Sequence, residues 1–131
     1  MSIRFVHAHE VIRFHDWILA DSQGLSGLSE SGRIQAMILR VLNLHHYEGI
    51  TDIFELAAAY FLAIAKGHCF ADANKRTAFI TTAAFLDRNG IQLSNSMTLV
   101  DITVKIAAGE YSREDLAQYL KQVCVFKHQP I

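Results

Sequence analysis

The run Ile53–Ala65, IFELAAAYFLAIA, carries a single charge, at Glu55. Its composition predicts a helix, and a helix that is apolar on every side has to be buried on every side. A chain containing such a segment must supply other amphipathic elements to cover it. TAFITTAAFLDRNG, from Thr77 to Gly90, repeats the theme and stays uncharged until Asp87-Arg88. These two segments predict a buried central helix pair.

The covering elements read as helices too. From His9 to Asp21, Val11, Phe14, Ile18 and Leu19 fall on one helical face, with Ile12 and Trp17 expected to widen it. From Gly32 to Leu44, Ile34, Met37, Ile38, Val41 and Leu42 repeat at i, i+3, i+4, i+7 and i+8, with Arg33 and Arg40 outside. The intervening SQGLSGLSESG is a loop, and His45 to Gly49 is expected to be a polar break. Thr51 or Asp52 caps the third helix, and Gly67 fits the left-handed position beyond it.

Asn89-Gly90 stops the fourth helix, and Ile91-Gln92-Leu93 is extended. A fifth helix is expected over 97–108. A sixth starts at Ser112, with Asp115 three residues on and Leu116, Tyr119, Leu120, Val123 and Cys124 facing inward. The final FKHQPI is expected to fray. The fold class is therefore all-α, with about six helices around a buried central pair.

At 131 residues the chain is expected to form one domain, spanning 1–131. It is 51% hydrophobic with a single proline, which excludes a disordered or loop-rich scaffold. The formal net charge of −1 offers no broad surface for nucleic acid or anionic membrane, so any bound anion must be gripped locally. No span resembles a membrane helix or a signal peptide, and Cys69 and Cys124 lack CxxC spacing. A cytoplasmic protein with reduced thiols is the expectation.

Between the two apolar segments stands HCFADANKR, residues 68–76. Asp72-Ala73-Asn74 falls where the fourth helix should begin, with unpaired N–H groups and the positive end of the dipole. Lys75 and Arg76 oppose the usual preference for acids there, which makes sense if a phosphate sits among them. His68 is suited to take a proton from an attacking hydroxyl, and Asp72 to hold Mg2+ against a triphosphate. Asn74 suits a helix cap or a phosphate ligand, and either Asp72 or Asn74 can cap the helix as a purely structural residue. Phe70 is expected to point into the core.

HCFADANKR resembles the signature of the Fic/Doc family, roughly His-x-Phe-x-(Asp/Glu)-(Gly/Ala)-Asn-(Gly/Lys)-Arg. It is most similar to the Doc, or death-on-curing, branch, which has Ala-Asn-Lys-Arg where nucleotidylating Fic enzymes have Gly-Asn-Gly-Arg. GLSGLSESGR, YEGITDIFELAAAYFLAIAKGH and TAFITTAAFLDRNG also look Doc-like, so the resemblance runs from about Leu25 to Gly90. It implies the Fic/Doc fold and the toxin of a type II toxin–antitoxin pair, a kinase using ATP and Mg2+. Fic proteins transfer AMP, whereas Doc binds the nucleotide the other way round and transfers the terminal phosphate. The implied target is a hydroxyl, expected on a threonine, of elongation factor Tu, which halts translation. His68 becomes the catalytic base, Asp72 a catalytic and metal residue, and Asn74, Lys75 and Arg76 the phosphate ligands.

Nucleotidylating Fic motifs carry a second arginine three residues after the first, where this chain has Phe79. With Lys75, that favours phosphoryl over AMP transfer. Ser26 to Glu30 has the spacing of the family's internal inhibitory (Ser/Thr)-x-x-x-Glu-(Gly/Asn) motif, but Ser31 follows. Inhibition is therefore expected from a cognate, Phd-like antitoxin through a helical segment. The alternatives are a Fic-type AMP transferase and a catalytically weak antitoxin-binding module. His45-His46 reads either as part of a target-docking flap or as a solvated helix end. His7, His9 and His15 have a suggestive spacing but no companion ligand set for zinc.

Overall fold

The computed structural model describes residues 2–21, 31–67, 74–93, 109 and 112–126. Among them are helices α1 (Ala8–Asp21), α2 (Ser31–His46), α3 (Ile53–Gly67) and α4 (Asn74–Arg88), then strand β1 (Ile91–Leu93). Helix α5 (Arg113–Val123) and strand β2 (Cys124–Phe126) follow. The fold is all-α, as the periodicities predict. The helix expected over 97–108 lies outside the described residues.

Helix α3 is the centre of the core. Leu56, Ala57, Ala58, Tyr60, Phe61 and Ile64 are buried, and α2, α4 and α5 all pack on it, α4 most extensively. Asp52 rather than Thr51 caps it: Oδ1 accepts the Phe54 N–H at 2.8 Å and the Glu55 N–H at 3.4 Å. Helix α5 opens on a reciprocal cap, Ser112 Oγ accepting from Asp115 N and Asp115 Oδ2 from Ser112 N, both at 3.1 Å. Lys121 of α5 reaches Asp52 at 2.9 Å and fastens α5 to the start of α3.

The N-terminal segment is held by side chains. Tyr60 Oη accepts the Val6 N–H at 2.9 Å and donates to the Val6 carbonyl at 2.7 Å. Arg88 Nη1 donates to the Phe5 carbonyl at 3.1 Å, and Arg88 also pairs with Glu10. Asn89 Oδ1 accepts from Arg4 N at 3.0 Å, while Nδ2 donates to Arg4 O at 2.9 Å and Phe85 O at 2.7 Å. Gly90, with φ +81°, adopts the left-handed turn that ends α4. Burial pushes the Tyr60 phenol upward, so it stays protonated and able to donate.

Four expectations are corrected. Trp17 is 68% exposed, and buried His15 takes the inward position. At about 100° per residue, Trp17 stands roughly 120° from the line through Val11 and Ile18, whereas His15 lies beside it. His45 and His46 belong to α2, which runs two residues past the expected stop. Cys124 has left the helix (φ −97°, ψ 152°), and with Val125 and Phe126 it pairs antiparallel to β1, Ile91 opposite Phe126. The extended Ile91–Leu93 backbone thereby gains a partner, so Phe126 does not fray. Fourth, α3 is not enclosed all round: Leu62 and Ala63 are only half-buried.

Tyr60→Phe should destabilise the protein by about 1–3 kcal/mol, because the Val6 N–H and C=O are left buried without their partner. Urea unfolding should show a lower midpoint with an unchanged m-value. The guanidinium of Arg88 holds the Glu10 carboxyl below its ordinary value. For Asp52, burial raises the carboxyl, but hydrogen bonds from Lys121 and the Phe54 and Glu55 N–H groups outweigh it and the net shift is downward. Folded values below unfolded ones mean this stability is present above about pH 5 and is lost as the pH falls through the folded values. Glu10→Gln should flatten the acid limb of a stability–pH profile.

Candidate functional site

The packing of α3 against α4 fixes which of their termini meet. The Tyr60 and Phe85 rings lie 4.9 Å apart, which sets α3 and α4 side by side. Seven residues separate Tyr60 from Gly67 and eleven separate Phe85 from Asn74, about 10 and 16 Å of helix. The start of α4 therefore stands roughly one turn beyond the end of α3. Helix α1 packs on α4 and is joined to its last residue by the Glu10–Arg88 pair. Arg40, Val41 and Leu44 of α2 share a groove with Ala59, Leu62 and Ala63 of α3. One end of the bundle thus brings the C-terminus of α3 and the N-terminus of α4 together.

Helix α4 opens on Asn74, which is half-buried, followed by Lys75 and Arg76, both exposed. Thr77 and Ala78 then turn into the core. The first turn of α4 has no acid, nor does that of α2. The positive dipole end and two exposed cations therefore coincide at the start of α4. In chemical terms such a turn suits an anion, whose charge would offset the repulsion between the cations and the dipole. Phe79 is half-buried and packs on the core, so no cation stands at that position.

His68 and Asp72 lie outside the described residues, as do Cys69 and Phe70. Of the five expected site residues the structure describes Asn74, Lys75 and Arg76, and it brings them together on one turn. His45 and His46 end α2. There His45 Nδ1 lies 2.9 Å from the Ile50 carbonyl and its ring packs on Phe5 at 5.5 Å. His7 and His9 are exposed and stacked, His15 is buried, and among the described residues no three His, Cys, Asp or Glu side chains converge as a metal site. No described helix is long and apolar enough to cross a membrane.

Two features escaped the sequence reading. Thr77 and Thr81, one turn apart on α4, have fully buried hydroxyls without a hydrogen-bond partner, while Thr82 Oγ1 donates to the Ala78 carbonyl at 2.8 Å. Threonines at i and i+4 in a helix expected to be buried were the available signal. Arg113 projects beside α3, and nothing in its local sequence marks it.

Comparison with known proteins adds two findings. Residues 5–86 match the family described as "Fic/DOC family". The chain is also 44% identical to "Protein kinase doc" of Escherichia phage P1 over 121 residues, 92% of this chain and 96% of that protein.

Thermal denaturation with inorganic tripolyphosphate tests the grip. Wild-type protein should be stabilised by the anion, and the effect should weaken as salt rises. Lys75→Gln with Arg76→Gln should lose the response, while its anion-free Tm stays equal to the wild-type value or rises.

Proposed function

This chain belongs to the Fic/DOC family, and from that premise we propose that it is the toxin of a type II toxin–antitoxin pair, an ATP-dependent protein kinase. The observation that carries the reading is the opening turn of α4, where Lys75 and Arg76 stand exposed at the positive end of the helix dipole with no acid in that turn. The name of the phage P1 relative, a protein kinase, points to phosphoryl rather than nucleotidyl transfer. Phe79 on the core, where a second arginine would serve AMP transfer, supports the same choice.

In this reading Asn74, Lys75 and Arg76 hold phosphate oxygens of ATP through charge-assisted hydrogen bonds. His68 takes the proton from a serine or threonine hydroxyl of the target. The hydroxyl oxygen forms a bond to the γ-phosphorus as the bond to the β,γ-bridging oxygen breaks, and ADP leaves with its charge matched by Lys75 and Arg76. The donor set fits a divalent cation in one respect: Asp72 is the motif's only carboxylate and a hard oxygen ligand of the kind Mg2+ takes. Mg2+ held there would neutralise phosphate charge when bound.

The proposed target is elongation factor Tu, whose modification would stop translation. The proposed regulator is a cognate antitoxin with a helical inhibitory segment. The activity is assigned to a single cytoplasmic domain over residues 1–131.

Incubation with elongation factor Tu and ATP labelled at either the γ or the α phosphate tests the reaction. Label should enter the target from the γ position, and His68→Ala should lower the rate at least about a hundredfold. Label from the α position alone would replace the kinase with an AMP transferase.

A further inference from the structure

Thr77 and Thr81 are both completely buried, and neither hydroxyl has a hydrogen-bond partner. A buried hydroxyl in that position forfeits the bonds it made to solvent in the unfolded chain. The usual local outlet is the carbonyl four residues back, and Thr82 takes it, donating to the Ala78 carbonyl at 2.8 Å. Thr77 and Thr81 do not. Helix α3, which packs most extensively on α4, offers nothing in exchange along its last turns, where Phe61 to Ala65 contains no polar side chain.

The spacing of the two residues says what would serve them. Side chains at i and i+4 share a helix face with their Cβ atoms about 5–6 Å apart. Helical side chains lean toward the amino end, so Thr81 leans over the turn that carries Thr77. A direct hydroxyl–hydroxyl bond spans about 2.8 Å, and two such bonds in series span about 5.6 Å. The separation therefore suits one small bridging molecule that both donates and accepts. Within α4 the Thr77 carbonyl accepts the Thr81 N–H and keeps a second lone pair for the same molecule. None of these groups is a carboxylate, so the set does not repay the dehydration of an ion.

We propose that Thr77 and Thr81 hold one internal water molecule between them, on the buried face of α4. Its partners are the two hydroxyls and the Thr77 carbonyl, and internal waters typically make two to four such bonds. The site is separate from the exposed cations of the same helix, although Thr77 directly follows Arg76 in the chain. Its role is in packing: it satisfies two polar groups where α4 is pressed into an apolar core, and it steadies the turns just behind Lys75 and Arg76. The inference goes beyond the phosphotransfer reading and does not rest on it.

Oxygen-17 relaxation dispersion of the solvent counts long-lived internal waters on the full chain. The count should fall by one when Thr77→Val is combined with Thr81→Val, which keeps the branched shape and removes the hydroxyls. It should stay at the wild-type value in Thr81→Ser, which retains a hydroxyl. Urea unfolding gives an independent reading. Each single valine variant should lower the folding equilibrium constant several-fold, because the water is lost and the other hydroxyl is left alone. The double variant should recover part of that loss, since it removes the stranded hydroxyl as well. An unchanged water count would overturn the proposal. So would single variants that each stabilise the protein with additive effects, the behaviour of hydroxyls that no molecule serves. A high-resolution crystal structure of the wild-type chain needs no substitution at all. Density for a water within hydrogen-bond distance of both hydroxyls supports the site, and a direct bond between the two hydroxyls removes it.

Discussion

A hydroxyl in the middle of an apolar helix organises much of this molecule. Tyr60 sits on α3 with no solvent exposure, and its oxygen both accepts from and donates to the backbone of Val6. Buried polar groups are tolerable only when satisfied, so one side chain fixes where the N-terminal segment crosses the core. Arg88 and Asn89 continue the work on Phe5 and Arg4. Three residues of extended chain thus behave as though they lay beside a strand, although their partners are side chains of two helices. With the segment in place α1 enters at a set angle, and Glu10 is delivered to Arg88.

Much of this fold was legible because helical periodicity reports directly on burial. Asp52 and Ser112 act as the caps their positions suggest, and Asn89-Gly90 ends α4 as read. What the pattern could not rank was which members of a broad stripe reach the core. Trp17 and His15 flank the same face, and hydrophobicity alone puts the tryptophan inside, whereas the geometry of α1 buries the imidazole. Cys124 to Phe126 failed for another reason. Their inward spacing continues α5, but the open backbone of Ile91–Leu93 recruits them as a strand, a pairing between segments about thirty residues apart that no local window sees.

For the candidate site, the legible part was chemical. Lys75 and Arg76 in an acid-free first turn violate the dipole preference, and such violations mark places where sequence answers to a ligand rather than to folding. The structure describes that turn and places Phe79 on the core behind it. The groove beside α3 was invisible by contrast, since Arg40 and Arg113 are seventy-three residues apart and each reads as an ordinary surface charge.

The opposite ends of α4 are built to different standards. At Arg88 and Asn89 the helix is fixed to residues 4, 5 and 10 by side-chain bonds and an ion pair. At Asn74 to Arg76 it offers charge to the outside. Between them lies a stiff beam about 21 Å long, seated along its length on α3 with Thr77, Ala78, Thr81 and Phe85 buried and the cations at its tip. Residues near the amino terminus, at the far end of that beam, therefore help set how it lies and where its exposed cations come to rest.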